Sequence, residues 1–329
     1  MTIHWVLKVL ALVSIPDILV AKRNLFPVYV TVCGLTCGLL GFLFSLLYQR
    51  SRGMTQQLRR AIRRDKLRVV YQPIVDLPTG RIVGAEALVR WTNESGVEVR
   101  PDVFVKLAEE RGFVGSITKL VLQHALSDFR DTLCTHPVFR LSVNVTAADL
   151  ADPAFFPALD RSLELADVPA DRLVIEITES STARSRIAIE TVHRLRQKGH
   201  AVHIDDFGTG YSNLAYLHDL SVDAIKIDKA FVQAIGTDSV IFSILPQILS
   251  IAEALKLEVV VEGVETFQQA RYFVDMGKPV LAQGWLFGRP VSAEALQRSL
   301  TEDAKGIADF QTKKGPFLYM PPAVRDGTS

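Results

Sequence analysis

Apolar and polar positions fall into two regimes along this chain. From Leu25 to Tyr48 there is no alternation: the run is uncharged, mostly apolar and about 24 residues long, enough to cross a bilayer as a tilted helix. From Leu67 onward, short apolar runs alternate with longer stretches of helical spacing. The period-two pattern predicts strands over Val69–Val75, Ile82–Arg90, Phe139–Val145, Leu173–Thr178, Ala201–Asp205, Ala224–Ile227, Glu258–Val261 and a shorter one around Ala282–Leu286. The 3.6 period predicts helices over Pro101–Arg111, Ile117–Phe129, Ile187–Lys198, Val240–Leu255 and Phe267–Met276. About eight strand units alternating with helices suggest a closed parallel barrel. Only Leu77-Pro78-Thr79-Gly80 separates the first two strands, too little for a crossover helix, so these two must pair antiparallel. The expected fold is α/β: a modified (β/α)8 TIM-like barrel with an antiparallel first strand, preceded by an N-terminal transmembrane helix.

Charge refines the domain plan. Arg50, Arg52, Arg59, Arg60, Arg63, Arg64 and Lys66 follow the apolar run, and this basic excess places the next domain in the cytoplasm. Residues 1–24 are an apolar segment interrupted by Lys8, Pro16 and Asp17; a poor first span, an interfacial helix and the remnant of something longer all fit. We expect a transmembrane helix at 25–48, a basic juxtamembrane linker at 49–66, the barrel domain over 56–302 and a disordered tail over 308–329. Gly34 and Gly38 give the span a small-xxx-small spacing that favours close helix approach. Net charge is +1, which gives no whole-chain case for binding a nucleic-acid polymer, and three cysteines make neither a disulfide framework nor a zinc pattern.

Candidate chemistry lies in polar residues that interrupt or end the apolar strands. These are Glu86, Asn144, Glu176, Asp205 with Asp206, Lys226, Glu262 and Gln283. In a barrel of this kind the strand carboxyl ends build the active site. Adjacent carboxylates at the end of an apolar strand are costly unless a cation is bound. Oxygen donors from several strands suit Mg²⁺ or Mn²⁺ rather than zinc. Enough ligands are present for two ions sharing a carboxylate, an arrangement suited to attack on a phosphodiester.

Together with Tyr71-Gln72-Pro73, Glu86-Ala87-Leu88 followed by Arg90, Glu179, Asp205 to Gly210, Asp228, Glu262-Gly263-Val264-Glu265 and Gln283-Gly284, these residues resemble the EAL-domain cyclic-di-GMP phosphodiesterases, in order over about residues 56 to 302. The resemblance implies hydrolysis of cyclic-di-GMP to linear pGpG by a two-metal site, with Ca²⁺ inhibitory. It implies Glu86, Asn144, Glu176 and Asp205 as ligands of one ion, and Asp205, Asp206 and Glu262 as ligands of the second. Lys226, Glu262 and Glu86 are the implied catalytic set, with Lys226 near the attacking water. Gln72, Arg90, Asp228, Gln283 and Pro290 match groove positions, and Glu179 matches a residue anchoring the loop Phe207 to Asn213, which the family couples to homodimerisation. A membrane-anchored enzyme at the bacterial inner membrane, facing the cytoplasm, is the resulting expectation; a catalytically silent receptor for the same dinucleotide is the alternative.

Departures from the family pattern are Asn213, Trp285 and Gly288, none of them a ligand. His203 falls on the lumen face with Asp205 by strand alternation, and we expect a core histidine hydrogen-bonded there. His193 and His200 are expected to be solvated.

Overall fold

The computed structural model describes residues 30–32, 34–42, 53–179, 186–208 and 220–310, the side chains of 302–310 excepted. The chain divides into two compact units, Met1–Gln57 and Leu58–Ser329. Of the expected membrane span, residues 30–32 and 34–42 are helical and exposed. Among the described residues no helix is long and apolar enough to cross a membrane; residues 25–29, 33 and 43–48, like the expected segment 1–24, lie outside them. Residues 53–63, within the stretch read as a linker, are helical. Leu58 is fully buried there and Arg60 reaches Glu94 at 2.8 Å.

The barrel is built from β1 (Arg68–Asp76), β2 (Arg81–Thr92), β4 (Arg140–Asn144), β5 (Leu173–Thr178), β6 (Ala201–Phe207), β7 (Ala224–Ile227), β8 (Glu258–Val261) and β9 (Leu281–Ala282), with the two-residue β3 (Glu98–Val99) paired outside the ring to the end of β2. Strand order runs β1-β9-β8-β7-β6-β5-β4-β2, and a β1–β2 pairing closes the circle. Every neighbour pair from β2 round to β9 is parallel, whereas β1 is antiparallel to both β2 and β9. The cause is local. The Asp76 to Gly80 turn, closed by Gly80 N–H donating to Asp76 O at 2.7 Å with Gly80 at φ 69°, reverses the chain before any helix can form.

Helices α1 (Pro101–Glu110), α2 (Val114–Thr135), α3 (Ala147–Ala151), α4 (Phe155–Ala166), α5 (Arg186–Gln197), α6 (Lys229–Gln233), α7 (Val240–Ala254), α8 (Phe267–Asp275) and α9 (Ala293–Phe310) complete the fold. The sequence reading found five of these and passed over α3, α4, α6 and α9. In α4, Pro157 would break a helix interior. Pro157 instead sits in the first turn, where its missing N–H has no partner to lose, and Phe155, Phe156, Leu159 and Leu163 are buried. Capping boxes fix the starts of α3, through Thr146 and Asp149, and α8, through Thr266 and Gln269. Helix α9 runs to Phe310, so residues 303–310 are helical beyond the expected domain end, and the first three residues of the expected disordered tail belong to it. Residues 311–329 lie outside the described residues.

Alternation on the strands separates two interiors. Leu141, Val143, Leu173, Ile175, Ile177, Val202, Ile204, Ile225 and Ile227 are buried between the strands and the helices. At roughly 2 kcal/mol for a fully buried aliphatic side chain, this layer carries the fold. The other face points into the lumen and holds the polar residues.

Candidate active site

Period two puts Glu86, Ser142 and Asn144, Glu176, His203 and Asp205, and Ala224 and Lys226 on the lumen faces of their strands. Register brings them level: Gln72 pairs with Glu86, Asn144 with Glu176, and Thr178 with Asp205. Neighbouring aspartates in a regular strand would face opposite ways. Here the β6–β7 register shifts between Ile204 and Phe207, and Asp206 has φ 55°. This bulge turns both carboxylates to the barrel mouth, where one oxygen each from Asp205, Asp206 and Glu262 lies within 4.8 Å of the others.

Lys226 is the centre of the site. Its Nζ is 2.7 Å from Glu262 Oε1, 2.8 Å from Glu176 Oε2, 3.3 Å from Asp205 Oδ1 and 3.5 Å from Glu86 Oε2. Glu86 is held from the other side: Asn144 Nδ2 donates to its Oε1 at 2.6 Å and Gln283 Nε2 to its Oε2 at 2.8 Å. One ammonium thus faces four carboxylates in a largely buried lumen. Carboxylates from both expected ion sets are drawn to Lys226, Glu86, Glu176 and Asp205 from the first and Asp205 and Glu262 from the second, and Asp205, Asp206 and Glu262 also stand together as a trio.

The electrostatics follow from that imbalance. Burial works against the charged Lys226, yet Asp205, Glu176, Glu262 and Glu86 together hold its pKa well above the ordinary lysine value. Desolvation, with Glu86 and Asp205 nearby, pushes Glu176 well above the usual carboxylate range despite Lys226. Glu262 is pushed up to about 7, first by burial and then by Asp205 and Glu86, with Lys226 opposing. Asp206 is raised by burial and by Asp205 and Asp228. Burial also works against the charged form of Glu86, but Lys226, Gln283 and Asn144 outweigh it and hold the pKa below the ordinary value.

These carboxylates are short of positive charge, and Glu176 Oε1 is buried without a hydrogen-bond partner among the described residues. A cluster of hard oxygen donors in that condition fits divalent cations.

The remaining expected site residues line the mouth or brace it. Gln72 Oε1 accepts from Gln283 Nε2 at 3.1 Å, while Gln72 Nε2 donates to Gly288 O at 3.2 Å. Arg90 is half-buried and donates to Val89 O at 3.0 Å. Asp228 caps α6, accepting from Ala230 N–H at 2.8 Å, and Pro290 is half-buried in the segment after β9. Glu179 is buried, and its Oε2 accepts from Gly208 N–H at 3.3 Å. The rest of the loop it was expected to anchor, including Asn213, lies outside the described residues.

Two histidines depart from expectation. His203 is buried in the lumen, but neither ring nitrogen has a hydrogen-bond partner among the described residues. Burial first, and then the charge of Lys226, pushes its pKa down to about 3, so the ring is neutral. His200 is buried rather than solvated, because the α5–β6 connection tucks under the barrel and sets its Nδ1 3.4 Å from Leu173 O. His193 is exposed as expected.

A family model described as the EAL domain matches residues 55–290. The chain is 36% identical over 266 residues to the Probable cyclic di-GMP phosphodiesterase PdeB of Escherichia coli K12, covering 80% of this chain and 51% of that protein. It is 39% identical over 249 residues to the Cyclic di-GMP phosphodiesterase NbdA of Pseudomonas aeruginosa, covering 75% of this chain and 32% of that protein. Matched regions therefore span about a third to a half of these curated relatives. The fold superposes on the PaMucR phosphodiesterase in complex with c-di-GMP with a TM-score of 0.70 at 34% identity, over 74% of this chain and 99% of that one.

Proposed function

The chain belongs to the EAL domain family, and on that premise we propose that it hydrolyses cyclic di-GMP to linear pGpG. The observation that carries this reading is the lumen cage of Glu86, Glu176, Asp205 and Glu262 around Lys226, opening onto the Asp205, Asp206 and Glu262 trio.

Two divalent ions, Mg²⁺ or Mn²⁺, would be held by Glu86, Asn144, Glu176 and Asp205 and by Asp205, Asp206 and Glu262; when bound they supply a more acidic water and neutralise phosphate charge. The chain's own residues do the rest. Lys226, fixed by Glu176 and Glu262, keeps a positive charge beside the attacking water and so favours loss of its proton. The water oxygen bonds to phosphorus and the P–O3′ bond breaks. A proton leaves the water for the carboxylate set and is passed on to the 3′ oxygen, which departs as a hydroxyl. Asn144 and Gln283 keep Glu86 from rotating, and Gln72 ties Gln283 to the rim, which preserves alignment.

The apolar run 25–48 is proposed as a membrane anchor, with the barrel on the cytoplasmic side of a bacterial inner membrane and the enzyme acting as a homodimer. The sequence pattern and the basic flank support the anchor. Recovery of the full chain from the soluble fraction without detergent would count against it.

The test of function is incubation of the full chain in detergent with cyclic di-GMP and Mg²⁺ or Mn²⁺, resolving products by chromatography. Appearance of pGpG, suppressed by Ca²⁺, is expected. Intact substrate after binding would favour a receptor instead.

A further inference from the structure

Beyond the carboxylate cage, the segment after Gln283 carries a cation–aromatic pair. Trp285 is 54% exposed, and the guanidinium carbon of Arg289 lies 4.2 Å from the centre of its ring. Arg289 covers one face of the indole, so the accessible area lies on the opposite face and the edge.

The pair is built into a rigid segment. A side chain at Gly284 would meet Val264 O at 2.1 Å and Val264 N at 2.3 Å, so the backbone lies flush against Val264. Val264 N–H donates to Gln283 O at 3.1 Å, and Leu286 N–H donates to Val264 O at 3.0 Å. Phe287 and Gly288 N–H groups both donate to Gly284 O, at 3.0 and 3.1 Å, and Gly288 O takes the Gln72 amide. Trp285 is thus fixed two residues from Gln283, whose amide touches Glu86. Two residues span at most about 7 Å.

Resting on the phosphodiesterase reading above, we infer that Trp285, backed by Arg289, is the platform on which one guanine of the substrate stacks. In a cyclic dinucleotide each base is one ribose away from a phosphodiester, so a phosphate held in the cage carries a purine to the rim. An indole on a rigid backbone, braced on one face by Arg289, offers a large flat face, and the guanidinium behind it strengthens stacking. The metal cage reads only phosphate; this pair makes binding depend on a base.

The experiment compares the full chain with Trp285→Ala, Trp285→Phe and Arg289→Ala, using cyclic di-GMP and Mn²⁺. Trp285→Ala should raise KM about tenfold or more with kcat changed far less. Trp285→Phe should recover part of the loss, Arg289→Ala should show a smaller rise, and Mn²⁺ affinity should be unaffected. Cyclic di-GMP should quench tryptophan fluorescence in the wild type, and the quench should fall sharply in Trp285→Phe, which keeps Trp5 and the buried Trp91 as the internal reference. An unchanged KM in Trp285→Ala, or a loss confined to kcat, overturns the platform while hydrolysis by the wild type still stands. If the wild type does not hydrolyse the substrate, the functional reading fails and calorimetry with cyclic di-GMP and GMP decides the platform separately. Wild-type binding lost in Trp285→Ala supports it; equal binding, or none in either protein, overturns it.

Discussion

Lys226 Nζ donates to Glu176 Oε2 at 2.8 Å, and the two side chains are 1% and 0% exposed. Such a pair is sustained by mutual compensation, because removing one member of a buried ion pair leaves the other unpaired at a cost of about 3–5 kcal/mol. Lys226→Met should therefore lower the melting temperature of the metal-free domain at neutral pH, and added Mn²⁺ should restore part of it. Turnover should fall far more than substrate affinity. Thermal scans with and without metal, beside steady-state kinetics, check both; unchanged melting would remove Lys226 from the centre of the cage.

Glu86→Gln keeps the shape of the side chain but deletes its charge and sets an amide nitrogen opposite one of its two donors, Asn144 Nδ2 or Gln283 Nε2. Turnover should drop by roughly 100-fold or more, the scale of losing one electrostatic contact to a transition state. The fold should hold, because no apolar packing is lost. Near-normal turnover at saturating metal would contradict the role given to Glu86.

Glu262 has its pKa pushed up to about 7 from an ordinary 4.5. A raised carboxylate contributes stability that is complete below about 4.5 and lost as pH climbs through about 7. The metal-free protein should thus lose this contribution between pH 4.5 and 7. Divalent ions prefer the ionised form, so Mn²⁺ affinity should rise over the same window, roughly tenfold or more between pH 5.5 and 8. Calorimetric titrations at those two values measure it; equal affinities would mean that Glu262 takes no part.

Glu179→Ala should cost about 10- to 100-fold in turnover although Glu179 is not one of the four carboxylates facing Lys226. Its Oε2 holds Gly208 N–H, two residues from Asp206, and shifts of about 1 Å at a reacting centre can cost 100-fold. Metal affinity and dimer mass should weaken with it. Wild-type values for turnover, metal affinity and mass would leave Glu179 a structural residue only.

Much of this was legible in the chain because the barrel makes one-dimensional pattern and three-dimensional position nearly the same thing. A polar residue in an apolar strand has only the lumen to face, which is why Glu86, Asn144, Glu176 and Lys226 declared themselves. What spacing did not reveal was how far a lysine reaches. Beyond the place near the attacking water expected of it, Lys226 reaches four carboxylates, because its four-carbon stem spans the lumen. His200 misled for a related reason: it sits beside Gly199 in a connection that reads as surface, and only closure of the barrel buries it. The β6 bulge was equally hidden, since its signal is a single residue with positive φ, and aspartate adopts that conformation without glycine's advertisement.

The antiparallel β1 has a temporal meaning as well. Its partners are β2, made at once, and β9, made some two hundred residues later, with Tyr71 bridging to Val291. A chain emerging from the ribosome can assemble the parallel strands and their acidic residues in sequence, but until Leu281 and Ala282 arrive β1 and β8 each keep an open edge. Open edges invite pairing with other chains. The last residue of the cage to arrive is Gln283, which steadies Glu86, the first of the cage carboxylates to be made. Completion of the ring and completion of the catalytic geometry are therefore one event, and a chain stopped before Leu281 should be aggregation-prone and protease-sensitive as well as inactive.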